Sequence, residues 1–198
     1  MHHTQPLRDH PELKIIEHPN CREYRVENWR FARDGSRRVL KFYGWSWMDA
    51  LIPIIIAYMW PAIVANRIPR IAILLLVAAY VFTRCTQLLW ESVITIPNLG
   101  IQLETHRGLP SLPLFTSRHF IPLAFLHDFI INEGLRGWNV RYYLAALTKS
   151  QTGKLSLHVA YENILPYFPV LLEVYNGVHQ DMFPVSDRDT NSDVSDTT

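Results

Sequence analysis

Four of the five histidines in the second half of the chain precede the predicted closing helix, and they are the side chains best suited to acid–base chemistry or metal binding. They are His106, His119, His127 and His158. A protein metal site gathers three or four such ligands, often with two of them a few residues apart on one element. No two of these histidines have that spacing, and the sequence contains no HExxH, GxSxG, P-loop or CxxC motif. The pattern therefore predicts no catalytic residue, no cofactor site and no metal site.

One carboxylate pair, Asp187-Arg188-Asp189, imitates the DxD sequence with which many sugar-nucleotide transferases hold a metal ion. It lies within residues 184–198, which are rich in Asp, Ser and Thr and contain no apolar cluster. Such a composition predicts a disordered tail. A disordered tail cannot hold reacting groups in a fixed geometry, so we interpret the pair as a chance match.

The segment His127–Leu147 has the pattern of a β-hairpin. Phe129–Ile131 is an aromatic and β-branched run, and Val140–Leu144 restarts a two-residue alternation. Gly134 and Gly137 bracket the break, where glycine supplies a positive φ at little cost. The segment therefore predicts two antiparallel strands joined by a tight turn.

Three residues of this hairpin are candidate partner contacts: Trp138, Arg141 and Tyr143. Aromatic and arginine side chains dominate the energetics of protein interfaces, which favours Trp138 as an anchor. A turn tryptophan that folds back onto its own sheet explains the residue equally well. Tyr142 and Tyr143 point to opposite faces, so one is expected in the core and the other at the surface.

The hairpin and its flanking segments resemble the PIG-H family, whose members are subunits of the enzyme that makes the first glycosylphosphatidylinositol (GPI) intermediate. The resemblance rests on shared order, and the pieces are Pro19–Tyr24, Asn98–Gln102, Phe120–Pro122, Asp128–Glu133, Tyr142–Leu144, Asn163–Pro166 and Leu172–Tyr175. The segment Thr105–Arg118, with its glycine and prolines, departs from the family pattern. Its role is left open.

The resemblance implies a non-catalytic subunit of the GPI-N-acetylglucosaminyltransferase. That complex transfers GlcNAc from UDP-GlcNAc to phosphatidylinositol at the cytosolic face of the endoplasmic reticulum. The resemblance assigns catalysis to a separate PIG-A-like subunit, so the implied partners are that subunit, other membrane subunits and membrane lipid. The paired glutamates, eight residues apart, of this pathway's retaining glycosyltransferases do not occur in the chain.

Residues 45–90 contain two apolar runs. Ala50–Ala65 and Ile71–Thr83 carry no charge, and the polar turn Asn66–Arg70 separates them. A spanning helix needs about 20 apolar residues, so both runs are of marginal length. They predict a membrane-embedded helical hairpin that either crosses twice or dips into one leaflet. The soluble alternative, a buried helical pair, is disfavoured because the runs have no polar face.

Basic residues precede the first apolar run, and two tryptophans lie between these basic residues and the run. Arg37, Arg38 and Lys41 come before Trp45 and Trp47, an order that is typical of a membrane interface. The alternative is a solvated linker followed by two core tryptophans. Because this flank is more basic than the intervening turn, both termini and the main domain are expected in the cytosol.

The chain is thus expected to contain a partly disordered basic segment (1–44), the hairpin (45–90), an α+β domain (91–183) and the tail (184–198). Residues 1–13 are expected to be disordered and Arg22–Asn28 to form a strand. In the domain, strands flank the turn Pro97–Gly100 and recur near 118–121, 128–132, 140–148 and 155–160. A helix that starts at Asn163 and buries Leu172 closes this small antiparallel sheet, which resembles a pleckstrin-homology-like half barrel.

Composition narrows the function further. A net charge of +1 argues against a strongly basic nucleic-acid binder. Two cysteines, Cys21 and Cys85, are too few for a disulfide framework. Two other functions stay open: a membrane-anchored lipid-binding or adaptor module outside the GPI pathway, and a transferase in its own right. The small size of the β-rich domain disfavours the transferase.

Overall fold

The computed structural model describes residues 2–31, 39–41, 47–65, 67–109, 112–150 and 153–183. Within these ranges the chain is α+β, with antiparallel strands and three helices, as predicted. The strands are β1 (His2–Thr4), β2 (Leu13–His18), β3 (Cys21–Glu27), β4 (Arg30–Phe31), β5 (Val39–Lys41), β6 (Leu88–Ile96), β7 (Gly100–Leu109), β8 (Leu112–Pro122), β9 (Leu126–Arg136), β10 (Asn139–Lys149) and β11 (Leu155–Ala160). The helices are α1 (Trp47–Ala65), α2 (Arg67–Cys85) and α3 (Phe168–Met182).

The larger sheet has six strands in the order β1-β2-β3-β6-β7-β8. The predicted strand Arg22–Asn28 is confirmed as β3, and Tyr24 lies opposite Val93 of β6 with both side chains buried. The expected disorder of residues 1–13 is wrong for the described part, because β1 pairs with β2 and Leu13 is fully buried. The N-terminal strands therefore belong to the same sheet as β6–β8.

The turn Pro97–Gly100 is confirmed, and the strands on both sides of it are longer than predicted. Asn98 has a φ of 66° and Gly100 a φ of 145°, which side chains rarely adopt. A Cβ at Gly100 would lie 2.1 Å from the carbonyl oxygen of Ile121. Glycine is therefore required here for β7 and β8 to approach each other.

The segment Thr105–Arg118, whose role the sequence leaves open, supplies the outer half of the β7–β8 hairpin in its described parts, residues 105–109 and 112–118. The register shifts between Arg107 and Gly108, and Gly108 lies opposite Pro113. Proline lacks an amide hydrogen, and it is tolerated in β8 because that strand is at the edge of the sheet. Glycine and proline here mark a bulged edge hairpin and not a loop.

The smaller sheet has the order β11-β10-β9. The predicted strand at 155–160 is confirmed residue for residue as β11. The strands predicted at 128–132 and 140–148 are confirmed within β9 and β10, which form one long hairpin. Beyond the pair Leu144–Ala160, this hairpin extends past β11.

The prediction that a helix starts at Asn163 is wrong. Helix α3 begins at Phe168 after the N-cap Tyr167, and Pro169 lies in its first turn. Leu165 has a φ of 47°, which a right-handed helix cannot contain. The expected burial of Leu172 is wrong as well, since its side chain is 41% exposed. The buried residues of α3 are Val170, Leu171, Val174, Val178 and Met182.

One core joins both sheets and α3. Tyr24, Ile101, Phe129 and Leu144, from the two sheets, pack in a cluster with the buried face of α3. Each of these side chains is at most 1% exposed. Burial of such large side chains contributes about 1.5–3 kcal/mol each, so this cluster is the main source of stability.

Helices α1 and α2 form a pair whose large apolar side chains face outward. The exposed ones include Ile54, Ile55, Tyr58, Trp60, Leu74, Leu75, Leu76 and Phe82. The soluble alternative of a buried helical pair is therefore wrong for the described residues. In the part of the chain that the structure describes, neither helix has the length and hydropathy expected of a membrane span.

Candidate partner and membrane interfaces

The tip of the β9–β10 hairpin exposes a tryptophan. Arg136 pairs with Asn139, and Gly137 between them has a φ of 62°. The Trp138 side chain is fully exposed at 103% of its reference area, so it does not fold back onto its own sheet. Leu135 and Val140 beside it are 83% and 57% exposed. The tip is thus an apolar surface that the described part of the chain leaves open.

The two other partner-contact candidates lie on the face of β10 opposite Val140. Arg141 is exposed and lies opposite Gly134, and Tyr143 is half-buried. A Cβ at Gly134 would lie 3.0 Å from the Tyr143 ring, so glycine leaves room for that ring to lie across the strand. Gly134 therefore fixes the orientation of Tyr143 behind the tip.

The neighbouring Tyr142 is at the other face and does not join the core. Its ring lies 4.9 Å from that of Phe168, the first residue of α3. A hydrogen bond to the Glu133 carboxylate, its cross-strand neighbour, raises the pKa of Tyr142. Of the two tyrosines, Tyr143 is thus the more buried, and Tyr142 connects the hairpin to the start of α3.

A buried carboxylate positions the segment that leads into α3. Glu91 is 3% exposed and accepts hydrogen bonds from the Asn163 backbone N–H and Nδ2 at 3.2 and 2.6 Å. Ile164 N–H and Thr105 Oγ1 donate to it at 3.1 and 3.3 Å. Asn163 is therefore a hydrogen-bond donor to Glu91 and not a helix cap. Sequence reasoning missed this role, because the two residues are far apart in the chain.

A second polar cluster fixes the C-terminal end of α3. Asp181 accepts hydrogen bonds from Arg22 Nη1, Tyr24 Oη and Thr95 Oγ1 at 2.8, 3.2 and 2.7 Å. Burial raises the pKa of Tyr24 well above its ordinary value, so the phenol remains a donor. A Cβ at Gly177 would lie 2.1 Å from Tyr24 Oη. Glycine at this position lets α3 lie directly on β3.

The four histidines that precede α3 do not meet at one site. His106 bonds to Glu104 at 2.8 Å and stacks on Trp90, with ring centroids 4.6 Å apart. The rings of His119, on β8, and His158, on β11, lie with their centroids 4.5 Å apart. Burial lowers the pKa of His158, and the charge of His119 lowers it further. His127 is exposed on β9. Among the described residues, no group of three or more His, Cys, Asp or Glu side chains could hold a metal ion.

The predicted membrane-interface residues lie mostly outside the described structure. Arg37, Arg38 and Trp45 are outside it, as is the carboxylate pair at 187 and 189. Lys41 ends β5, and Trp47 begins α1. Of these five interface candidates, only the last two therefore have a described backbone position.

Comparison with known proteins finds a similar family and a similar curated protein. Residues 92–162 match the family described as "GPI-GlcNAc transferase complex, PIG-H component". The chain is 36% identical over 85 residues to the Schizosaccharomyces pombe protein named phosphatidylinositol N-acetylglucosaminyltransferase subunit gpi15, a match that covers 43% of this chain and 49% of that protein. The chain thus spans about half the length of this curated relative. No solved structure matches the chain.

The matched region begins inside β6 and ends just before Asn163, so it contains the β7–β8 hairpin, the smaller sheet and the Trp138 tip. The resemblance to the PIG-H family that the residues predicted is therefore confirmed over this region. The strands β1–β3 and helix α3 lie outside the match, although they complete the same fold.

Proposed function

We propose that the chain is a non-catalytic subunit of the phosphatidylinositol N-acetylglucosaminyltransferase complex, acting in the first step of GPI-anchor biosynthesis. The match of residues 92–162 to the PIG-H component carries the proposal. The relative named as a subunit of that transferase supports it. The reaction transfers GlcNAc from UDP-GlcNAc to phosphatidylinositol, and a PIG-A-like subunit performs it.

The role of the chain is to hold the catalytic subunit at the endoplasmic reticulum membrane. The fully exposed Trp138 is the anchor for that subunit, with Arg141 and Tyr143 behind it. The exposed apolar side chains of α1 and α2 contact lipid, because a surface of this kind is costly in water. The basic residues before α1 face anionic head groups, and the domain lies on the cytosolic side.

The test is reconstitution of transfer in membranes that lack this chain. Transfer of GlcNAc from UDP-GlcNAc should fall in its absence and return when the chain is supplied. The purified chain alone should not transfer GlcNAc. Alanine at His106, His119, His127 and His158, with Asn at Asp187 and Asp189, should leave transfer by the assembled complex largely intact.

Transfer by the isolated chain would overturn the subunit role in favour of an enzyme. Loss of turnover in a polar variant that still assembles would place a residue of this chain in the active site. Unchanged transfer without the chain would place its function outside this pathway.

A second function, a pleckstrin-homology-like lipid-binding or adaptor module, is favoured by one observation. The two antiparallel sheets share a core that a single C-terminal helix closes. Binding of the chain to phosphoinositide vesicles, together with unchanged GlcNAc transfer in its absence, would support this module over the subunit.

A further inference from the structure

The outer end of the β7–β8 hairpin lies beside the C-terminal end of α2. Gly108 N–H donates a hydrogen bond of 2.8 Å to the carbonyl of Gln87, two residues after α2 ends. The last pair between β6 and β7 is Leu88–Arg107, so the hairpin beyond Arg107 extends past β6. It extends on the same side of the domain as the helix.

This overhanging end is apolar and exposed on both faces. Leu112, Leu114 and Phe115 are 56%, 43% and 57% exposed. Every residue from Leu112 to Phe120 is exposed, which is unusual for a strand that continues a buried sheet. Phe82, near the C-terminal end of α2, is also exposed, and it lies five residues before Gln87 in the chain.

Charged groups lie behind the apolar end. Arg107 is exposed and bonds to Asn163 at 3.3 Å, and Arg118 is 65% exposed at its side chain and pairs with Glu104 at 2.9 Å. Arg84, at the end of α2, lies over the Tyr80 ring. Apolar residues in front of arginines form the arrangement found at the surface of a membrane, where apolar groups enter the lipid and cations meet the head groups.

The edge position of β8 also suits strand addition by another protein chain. Pro113 disfavours the addition of a strand from another protein. Proline has no amide hydrogen, so it interrupts the row of hydrogen-bond donors along the free edge of β8. A lipid surface needs no backbone partner from the strand. The apolar side chains on both faces of the hairpin also suit immersion better than one-sided pairing.

We propose that the β7–β8 end, residues 107–109 and 112–115, is a lipid-contacting finger that enters the membrane interface next to the base of α2. The proposal rests on the membrane contact of α1 and α2 proposed above. It assigns a role to the segment Thr105–Arg118, and it sets the domain at a fixed height and tilt on the lipid. The finger adds a second lipid contact beside the helix pair, and two contacts restrict rocking of the domain.

The test places an environment-sensitive fluorophore at single cysteines in a Cys21→Ser, Cys85→Ser background. Leu112→Cys reports the finger, Leu75→Cys reports α2, and Leu155→Cys is the control. Leu112 and Leu155 are matched in exposure at 56% and 54%. Leu155 lies opposite Lys149, whose N–H bonds to Phe125 at the other end of the domain from the finger.

The full chain is reconstituted into phosphatidylcholine vesicles that contain phosphatidylinositol and a lipid-borne quencher. The labels at 112 and 75 should shift to the blue and be quenched to a similar extent, while the label at 155 should be unaffected. Leu114→Asp should lower the quenching at 112 and leave that at 75 unchanged.

Quenching at 75, with 112 behaving like 155, would overturn the finger and leave the helix contact intact. No quenching at either position would overturn both the finger and the membrane contact of the helices. A blue shift at 112 that needs the catalytic subunit in detergent, and that lipid alone does not produce, would overturn the finger in favour of a protein partner.

Discussion

The two long hairpins of the domain, β7–β8 and β9–β10, both extend beyond the strands that pack beside them, and both expose apolar side chains. The β7–β8 end carries leucines and a phenylalanine, contains a proline in its edge strand and bonds to the residues that follow α2. The β9–β10 tip carries one fully exposed tryptophan in a glycine turn, with an arginine close behind.

The difference between the two tips shows that exposed apolar area alone does not distinguish a lipid-binding surface from a protein-binding surface. An aliphatic end beside an apolar helix suits lipid, which has no fixed shape. A single fully exposed tryptophan, three residues before an arginine on the same hairpin, suits a protein pocket, where aromatic and arginine side chains dominate affinity. The neighbours of each tip therefore distinguish the two surfaces.

The largest effect is expected from the frame that supports both tips. Leu171 is fully buried in the core, so Leu171→Asp places an unpaired charge there and should cost more than about 4 kcal/mol in the free energy of unfolding. Chemical denaturation should show the loss, and both partner retention and lipid contact should disappear together.

The neighbouring residue supplies the matched control. Leu172 is 41% exposed, and Leu172→Asp should change the free energy of unfolding by less than about 1 kcal/mol. Equal loss of stability in the two variants would mean that α3 packs on a different face.

Trp138→Ala should separate the two tips. Because the side chain is fully exposed, the substitution should leave stability unchanged. It should weaken co-purification of the catalytic subunit by about 2 kcal/mol, or roughly thirtyfold in affinity. Residual transfer should keep its KM for UDP-GlcNAc, because only the amount of assembled enzyme falls.

The reciprocal control for that variant is Leu114→Asp, which should leave co-purification intact. If Trp138→Ala left co-purification unchanged, or if Leu114→Asp reduced it equally, the assignment of different occupants to the two tips would be wrong.

Thr95→Val should act at the end of the domain opposite the β7–β8 finger. It removes a 2.7 Å hydrogen bond to Asp181, which keeps its bonds from Arg22 and Tyr24, so about 1 kcal/mol of stability should be lost. Thr95→Ser retains the hydroxyl and should recover most of it. Co-purification of the partner and quenching by lipid should match those of the unsubstituted chain. A change in co-purification would couple the β9–β10 tip to this cluster, and a change in quenching would couple the β7–β8 end to it.

The smallest effect is expected from pH. Burial and then His119 lower the pKa of His158 below its ordinary value of 6.5. The unfolded chain therefore binds the proton more readily, so the stability from this residue is present above pH 6.5 and is lost as pH falls through that value. Denaturation between pH 5 and 8 should show a slightly shallower pH dependence for His158→Asn, with both tips unaffected. An unchanged pH dependence would contradict the shift.

The sequence predicted local elements better than the contacts between them. Strand β11 and the turn Pro97–Gly100 were predictable because alternation and turn residues act within a few positions. The start of α3 was not predictable, because asparagine is equally suited to cap a helix and to donate hydrogen bonds to a buried carboxylate, as Asn163 does to Glu91. Misplacing that start placed Leu172 on the wrong face of the helix.

The interfaces were only partly predictable for a related reason. Trp138 and Arg141 were predictable as interface candidates from residue type. The exposure of Trp138 was not predictable, because it depends on how far the hairpin extends beyond β11. The glycine and prolines of the segment Thr105–Arg118 do not predict the long strands that contain them, because glycine and proline usually end strands. An edge strand tolerates both, and edge position is a property of the assembled sheet.

The pairing of β3 with β6 has a consequence for how the chain folds. Asn28 N–H donates a hydrogen bond of 2.9 Å to the Leu89 carbonyl, so the chain leaves this sheet after Asn28 and returns to it beside the same point, with α1 and α2 between the two positions in sequence. The first three strands are synthesised well before β6, so they wait for this partner until the residues between them have been made. Closing such a long loop costs only slightly more entropy than closing a short one. The delay therefore lies in the order of synthesis, and a short linker in place of residues 29–87 would give a chain whose strands meet without it.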